Sequence, residues 1–358
     1  MLERQFTEKV LSPADLKPSQ PGLKVIGVFN PGVVRLKQTT YIIARVVEQP
    51  TETREDCFPS PRMIDGELTL DWLGCEETDA ASDPRTYTSR IDGSLRLRFI
   101  SHLRVFTSKD GIHIDNPDDA QQIMPRGEYE TYGIEDPRIT VINGTAYITY
   151  VVVSGHGVAT ALLSTTDFQS FHRHGIIFCP DNKDVVLFPE KILGDFVALH
   201  RPMPSMKFSP PRVWLARSPD LYHWGAHLEL LDASGADVTG GGQHRDRIGG
   251  GTPPLRTDRG WLTIYHGSDK KPGQAGAGRY TAGALLLDLE NPSRVISRTP
   301  EPIMVPTEPY EREGFVNNIV FPTAVVEDGD QYLVYGGAAD ENLTVVGYEK
   351  QALLATLP

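Results

Sequence analysis

Five times along the chain a proline introduces a short run of strand-forming residues, a polar turn and a second such run. The segments are NPGVVRLKQTTYIIARVVE at Pro31, DPRITVINGTAYITYVVVS at Pro137, FPEKILGDFVALHRP at Pro189, TPPLRTDRGWLTIYHGS at Pro253 and FPTAVVEDGDQYLVYGGAAD at Pro322. β-Branched and aromatic residues on either side of a turn such as Asn143-Gly144 read as a hairpin, and proline is tolerated at the first residue of a strand. A second pattern alternates with the first: VFTSKDGIHI, LLSTTDFQSFHRHG and LARSPDLYHWG. Its serines, Ser108, Ser164 and Ser218, lie 56 and 54 residues apart, and Ser-x-Asp can close a tight turn on its own backbone. Two alternating hairpin patterns, about four strands in every 50 to 70 residues, predict an all-β chain folded as a five-bladed β-propeller. A β-sandwich does not explain the repetition. A sixth hairpin, DPRTYTSRIDGSLRLRF at Pro84, has no Ser-x-Asp turn separating it from Pro31. Residues 51–98 therefore read as a long polar insertion in the first blade, over one face of a single domain spanning 1–358.

If the innermost strands begin at the prolines, their ends converge on one axis. Those ends are Asn30, Asp136, Phe188, Thr252 and Phe321. The partner strands add Arg45, His200-Arg201, Tyr265-His266 and Ala339-Asp340. The net charge is −12, which gives no general attraction for nucleic acid or anionic lipid. Bases gathered at one place on such a chain therefore matter. Lys183, Arg201, Arg247 and His266, with the hydroxyl of Tyr280, form a set suited to a small, strongly charged anion, because arginine offers a planar fork and lysine a point charge. The run GGGTPP lets backbone approach a ligand, but no Gly-Lys-Ser/Thr follows, so it is not a P-loop.

Asp136 is the acid that stands out, at the mouth of a hairpin with the fixed φ of Pro137 behind it. Asp83 belongs to a second Asp-Pro-Arg triplet, but the strand after it is polar. Alternation along an extended chain turns Glu135 to the opposite face. Glu190 is the best base if water is the nucleophile. His200, Tyr265, Trp224 and Trp261 read as core. The cysteines Cys57, Cys75 and Cys179 suggest neither a disulfide framework nor a metal site, and no His/Asp/Glu cluster has ligand spacing. The N-terminal stretch lacks a signal-like apolar core, and no span of about 20 apolar residues occurs. The expectation is a cytoplasmic protein with no membrane or nucleic-acid partner.

The phrases GIEDPRIT, KDVVLFPEKI, LHRP, SPDLYHWG, RIGGGTPPLRTDRGWLTIYHG, YTAGALLLDLENP and VFPTAVV…YGGAAD occur in order from about Val25 to Asp340. Together they resemble glycoside hydrolase family 130, the mannoside phosphorylases, which are built on a five-bladed propeller. KVIGVFNPGVVR and ISHLRVFTSKDGIHI resemble the branch acting on β-1,2-linked oligomannosides. The resemblance implies Asp136 as general acid, Lys183, Arg201, Arg247, His266 and Tyr280 as phosphate ligands, and Asn30, Arg45 and Asp340 around the non-reducing mannose or the phosphate. It implies no cofactor beyond inorganic phosphate as co-substrate, and it suggests a homo-oligomer. The long insertion departs from the pattern. One acid beside an anion cradle suits inverting phosphorolysis, which needs no base because phosphate arrives anionic. The alternatives are a β-1,2-mannosidase using water, a β-1,4-mannoside phosphorylase, and a non-catalytic glycan-binding propeller.

Overall fold

The computed structural model describes residues 2–204, 206, 208–231, 246–270 and 277–358. The chain is all-β, as expected, and its strands fall into five four-stranded antiparallel groups taken almost in sequence order. Strand β1 (Phe6–Leu11) comes first and is used last. The first group is β2 (Leu23–Leu36), β3 (Thr39–Pro50) and, after an interruption, β9 (Ile100–Ser108) and β10 (Gln121–Ile123). The interruption holds β4 (Cys57–Ile64) paired with β5 (Glu67–Gly74), and the small sheet β6 (Thr78–Asp79), β7 (Thr86–Ser89) and β8 (Leu95–Leu97). The second group is β11 (Gly133–Ile142), β12 (Thr145–Ser154), β13 (Gly157–Thr165) and β14 (His172–Phe178). The third is β15 (Asn182–Leu187), β16 (Phe196–Pro202), β17 (Val213–Ser218) and β18 (Gly225–Leu231). The fourth is β19 (Arg247–Gly250), β21 (Gly260–Ser268), β22 (Tyr280–Leu287) and β23 (Val295–Arg298), with short β20 (Leu255–Thr257) beside β21. The fifth is β24 (Val320–Asp328), β25 (Gln331–Ala338), β26 (Asn342–Glu349) and then β1. A single parallel bridge, Gly133 to Ser101, joins the first two groups.

Alternation along the middle strands explains why they carry almost no polar side. In β21, Trp261 and Tyr265 enter a core shared with the third group, while Leu262 and Ile264 enter one shared with the fifth. In β25, Leu333 and Tyr335 face the first group, and Tyr332 and Val334 face the fourth. A strand covered on both faces reads as a continuous apolar run. Every pair of successive groups shares such a core, and the last group shares one with the first. No described helix is long and apolar enough to cross a membrane.

The segments at Pro31, Pro137 and Pro322 hold the first two strands of their groups, whereas those at Pro189 and Pro253 start after the first strands β15 and β19 have ended, and most of the prolines do not begin a strand. Pro31 and Pro137 sit mid-strand at bulges, where residues 30–31 oppose Ala44 and residues 136–137 oppose Tyr150. In the third group the equivalent bulge is Asp184-Val185 opposite His200, and Pro189 lies beyond the strand end. Bulges re-aim side chains. The alternating turns also differ by one residue from expectation. Ser108 and Ser218 close Asp turns as expected, but in the second group Thr165, not Ser164, receives the amide of Phe168 at 2.9 Å. Ser164 instead meets His174.

Candidate active site

All five first strands reach a cavity of about 170 Å³. Asn30, Asp136 and Asp184 occupy the bulges of β2, β11 and β15, with φ of 48°, 50° and 56°. Asn and Asp are the non-glycine residues that best tolerate this left-handed region. Ala339 and Asp340 follow β25 with φ of 50° and 51°. Alanine has no such tolerance, and its backbone is pinned on both sides, its amide to Ile319 at 3.0 Å and its carbonyl accepting from Val316 at 2.9 Å.

Asp136 Oδ1 accepts from Asn30 Nδ2 at 3.0 Å and from Arg45 Nη1 at 3.2 Å. Arg45 Nη2 donates to Glu135 Oε1 at 2.8 Å, and Lys183 Nζ stands 3.4 Å from Glu135 Oε2. Arg201 Nε donates to Asp184 Oδ2 at 2.7 Å. Arg138 donates to the carbonyls of Asp136 at 2.7 Å and Gly251 at 2.8 Å, tying β11 to the segment after β19. Arg201 Nη1, Arg138 Nη2 and Asn30 Oδ1 are buried without a hydrogen-bond partner among the described residues. Buried polar atoms are rarely left so.

Five cations (Arg45, Arg85, Lys183, Arg201 and Arg247) and three carboxylates (Asp136, Asp184 and Asp340) line the cavity, with Tyr280 among them. On a chain of net charge −12 this is a local reversal of sign. Burial alone would raise the Asp136 pKa, but Arg45, Arg138 and Lys183, with the Asn30 hydrogen bond, outweigh it and hold the carboxyl below its ordinary value. Asp340 goes the other way. Burial, with Asp136 and Glu135 nearby, pushes it up to about 6 against the pull of Arg85 and Arg45. Burial also raises Tyr280, opposed by Arg247, Arg201 and Arg85.

Eight of the nine residues singled out from sequence line this cavity: Asn30, Arg45, Asp136, Lys183, Arg201, Arg247, Tyr280 and Asp340. His266 stands behind it, fully buried, with Nε2 3.3 Å from Asp184 Oδ2. Burial lowers its pKa and favours the neutral ring, although Asp184 pulls the other way. Other expectations need correction. Phe188 packs edge-on against Trp261, at 5.4 Å, in the core. Thr252 is buried, its carbonyl accepting from Thr263 Oγ1 at 2.7 Å and its hydroxyl from the Ile264 amide at 3.0 Å, both on β21. Glu190 pairs on the surface with Arg256 at 2.5 Å, so it is no base for this cavity. Glu135 is not turned away, because the left-handed residue at 136 breaks the alternation that would have turned it. Asp83 is no rival acid either: both of its oxygens hold Arg85. The three glycines at 249–251 make room for neighbours rather than for a ligand. A Cβ on Gly249 would strike Asp184 and His266, and one on Gly251 the carbonyls of Ile264 and Pro322.

Sequence reasoning missed Asp184, Arg138 and Arg85. A larger cavity of about 460 Å³ is lined by residues further along the same first strands, including Val33, Ile139 and Val325, with Pro189 and Pro253. It is mostly apolar and gathers no comparable charge cluster.

A sequence model of the family described as beta-1,4-mannooligosaccharide phosphorylase matches residues 87–357. The chain belongs to glycoside hydrolase family 130. Among its relatives, a beta-1,2-mannobiose phosphorylase of Listeria innocua is 37% identical over 340 residues, 93% of this chain and 92% of its own. A 1,2-beta-oligomannan phosphorylase of Thermoanaerobacter is 36% identical over 260 residues, 70% of this chain and 78% of its own. The solved structure of the Listeria innocua enzyme with beta-1,2-mannobiose superposes with a TM-score of 0.88 at 35% identity, covering 98% of this chain and 99% of that one.

Proposed function

We propose that this family-130 chain phosphorolyses β-1,2-linked mannobiose and short β-1,2-oligomannosides, with inversion, releasing α-mannose 1-phosphate. The observation that carries this reading is the excess of cations lining the cavity, with the buried Arg201 Nη1 left unpaired among them. Such a cradle suits phosphate and is an expensive arrangement for a neutral sugar and water alone. In this reading Lys183, Arg201 and Arg247, with Tyr280, hold phosphate in line with the anomeric carbon. Asn30, Arg45 and Asp340 hold the mannose, and Asp136 is the general acid. His266 contributes by supporting Asp184, which orients Arg201.

Asp136 acts as an acid only when protonated. Of the cations that hold it ionised, Arg45, Arg138 and Lys183, the last also holds phosphate in this reading, and Arg201 and Arg247 line the same cavity. A phosphate dianion cancels part of their charge, raises the Asp136 pKa and lets it take up the proton it delivers to the leaving oxygen. The chemistry needs no metal and no organic cofactor, since arginine and lysine carry the compensating charge. Mannosyl transfer to phosphate makes this a glycosyltransferase-type reaction.

We further propose that the five groups are the blades of a five-bladed propeller forming one catalytic domain, with residues 51–98 inserted in the first blade. The cyclic sharing of cores and the convergence of the five first strands support this reading. The three free cysteines are consistent with a cytoplasmic location.

The test is a pair of incubations with β-1,2-mannobiose, with and without inorganic phosphate, reading mannose and mannose 1-phosphate. Mannose 1-phosphate formed only with phosphate is expected. Two mannoses per substrate in both tubes would make the enzyme a hydrolase. The description of the matching family model favours a second linkage, so β-1,4-mannobiose is run in parallel and is expected to react more slowly.

A further inference from the structure

The turn Asp83-Pro84-Arg85 belongs to the insertion and lies far in sequence from every other cation of the cavity, yet Arg85 lines it. The turn is built rather than loose. Asp83 accepts the Arg85 amide at 2.8 Å, and its two oxygens hold the guanidinium through Nε at 3.0 Å and Nη2 at 2.8 Å. The Arg85 carbonyl accepts from the amide of Arg98 at 3.2 Å, and the Arg98 side chain lies over Tyr87, which stacks on Phe58. A fork gripped along one edge has its direction set and its other edge free for a second anion. Arg85 shares the cavity with Arg201, Arg247 and Tyr280, and with Asp340. Three guanidiniums, those of Arg247, Arg201 and Arg85, act on Tyr280, and Arg85 and Arg247 oppose each other's charge. Each guanidinium has one carboxylate partner, Asp83 for Arg85, Asp184 for Arg201 and Asp246 for Arg247, and the N–H groups left over in the cavity they share, Arg201 Nη1 among them, suit a second anion.

We propose that Arg85 is a ligand of the phosphate group, carried to the cavity by the 51–98 insertion and aimed by Asp83. This rests on the phosphorylase reading above. It makes the insertion part of the nucleophile site rather than only a wall around the sugar.

The experiment compares Arg85→Ala, Arg85→Lys and Asp83→Asn with the full-length protein. Arg90→Ala, an exposed change on the same insertion, is the control. KM is measured separately for phosphate and for β-1,2-mannobiose, and binding of inorganic phosphate alone is measured by calorimetry. Losing one charge-assisted contact predicts a roughly tenfold weaker phosphate KM and Kd for Arg85→Ala. The disaccharide KM should stay within about twofold, and Arg85→Lys, which keeps charge but loses the fork, should fall between. Arg90→Ala should match wild type. Unchanged phosphate affinity in Arg85→Ala overturns the proposal, as does a loss confined to the disaccharide KM. If Arg85→Ala does not fold, Arg85→Lys decides: phosphate affinity equal to wild type overturns it. A wild-type protein that forms no mannose 1-phosphate from either linkage defeats the phosphorylase reading itself. A wild type that does so while Arg85→Ala keeps its phosphate affinity defeats this inference alone.

Discussion

Asp136 and Asp340 share one cavity and are driven in opposite directions, one down by cations and the other up by burial and like charge. Asp136→Asn keeps the size and removes the acid. It should cost turnover by roughly 10²–10⁴ while leaving calorimetric phosphate binding in place; turnover above a tenth of wild type would move the acid elsewhere. Asp340 gives a pH prediction for stability. Its pKa is raised on folding, so the folded state holds its proton where the unfolded chain has lost it. Stability therefore falls as pH rises from the unfolded value of 3.8 through about 6 and then levels off. Asp340→Asn should match wild type near pH 4 and be more stable at pH 8, by on the order of 3 kcal/mol. Equal melting temperatures at pH 8 would refute the shift. Lys183, Arg247 and Tyr280 stood out as bases and a hydroxyl on an acidic chain and through the family resemblance, whereas Asn30, Arg45, Asp136, Arg201 and Asp340 were legible because they lie in the repeated proline-anchored segments. Asp184 was not, since no proline marks its bulge, and the repeat was aligned on Pro189 instead. Glu135 was misplaced because alternation holds only for extended backbone. Arg85 could not be placed at all from sequence, because an insertion has no repeat to align it.

At the scale of elements, bulge and turn chemistry set positions that periodicity cannot. Asp110, Asp167 and Asp220 each accept two amides in the turns that leave the third strands of the first three groups, and Asp288 does the same in the fourth. The motif was visible in three places. Its register in the second was ambiguous because Ser164, Thr165 and Thr166 are adjacent hydroxyl residues, and only strand pairing decides which faces the turn. The fourth turn lacks the preceding hydroxyl, with Leu286 in its place, and so escaped notice. The glycine run is a similar case. Its residue types were seen correctly but attributed to a ligand, whereas Gly251 is closed in by two backbone carbonyls that cannot step aside. Gly251→Ala should therefore cost about 2–3 kcal/mol in denaturant unfolding. A loss under about 0.5 kcal/mol would mean that the fourth and fifth groups separate more easily than their packing implies.

Over the whole molecule, the fifth group is completed by the first strand of the chain. β1 pairs with β26 from Phe6–Gly347 to Leu11–Leu343, and Leu11 enters the core shared by the last and first groups. Leu11→Ala should cost about 2–4 kcal/mol and, because Leu11 does not line the cavity, should leave the KM for phosphate unchanged; a loss of less than about 1 kcal/mol would show that β1 is an appendage. The number of groups could be read from the repeats, but this closure could not, because FTEKVL is too short and too polar to announce a partner more than three hundred residues away. The pairing has a consequence for biosynthesis. A nascent chain emerges with β1 ahead of β26 and must carry that strand unpaired until the last hairpin follows it, and the face of the first group that packs on the fifth stays uncovered until then. The enzyme would then gain its finished cavity in one late step, and the interval before that step is when it is most exposed to aggregation.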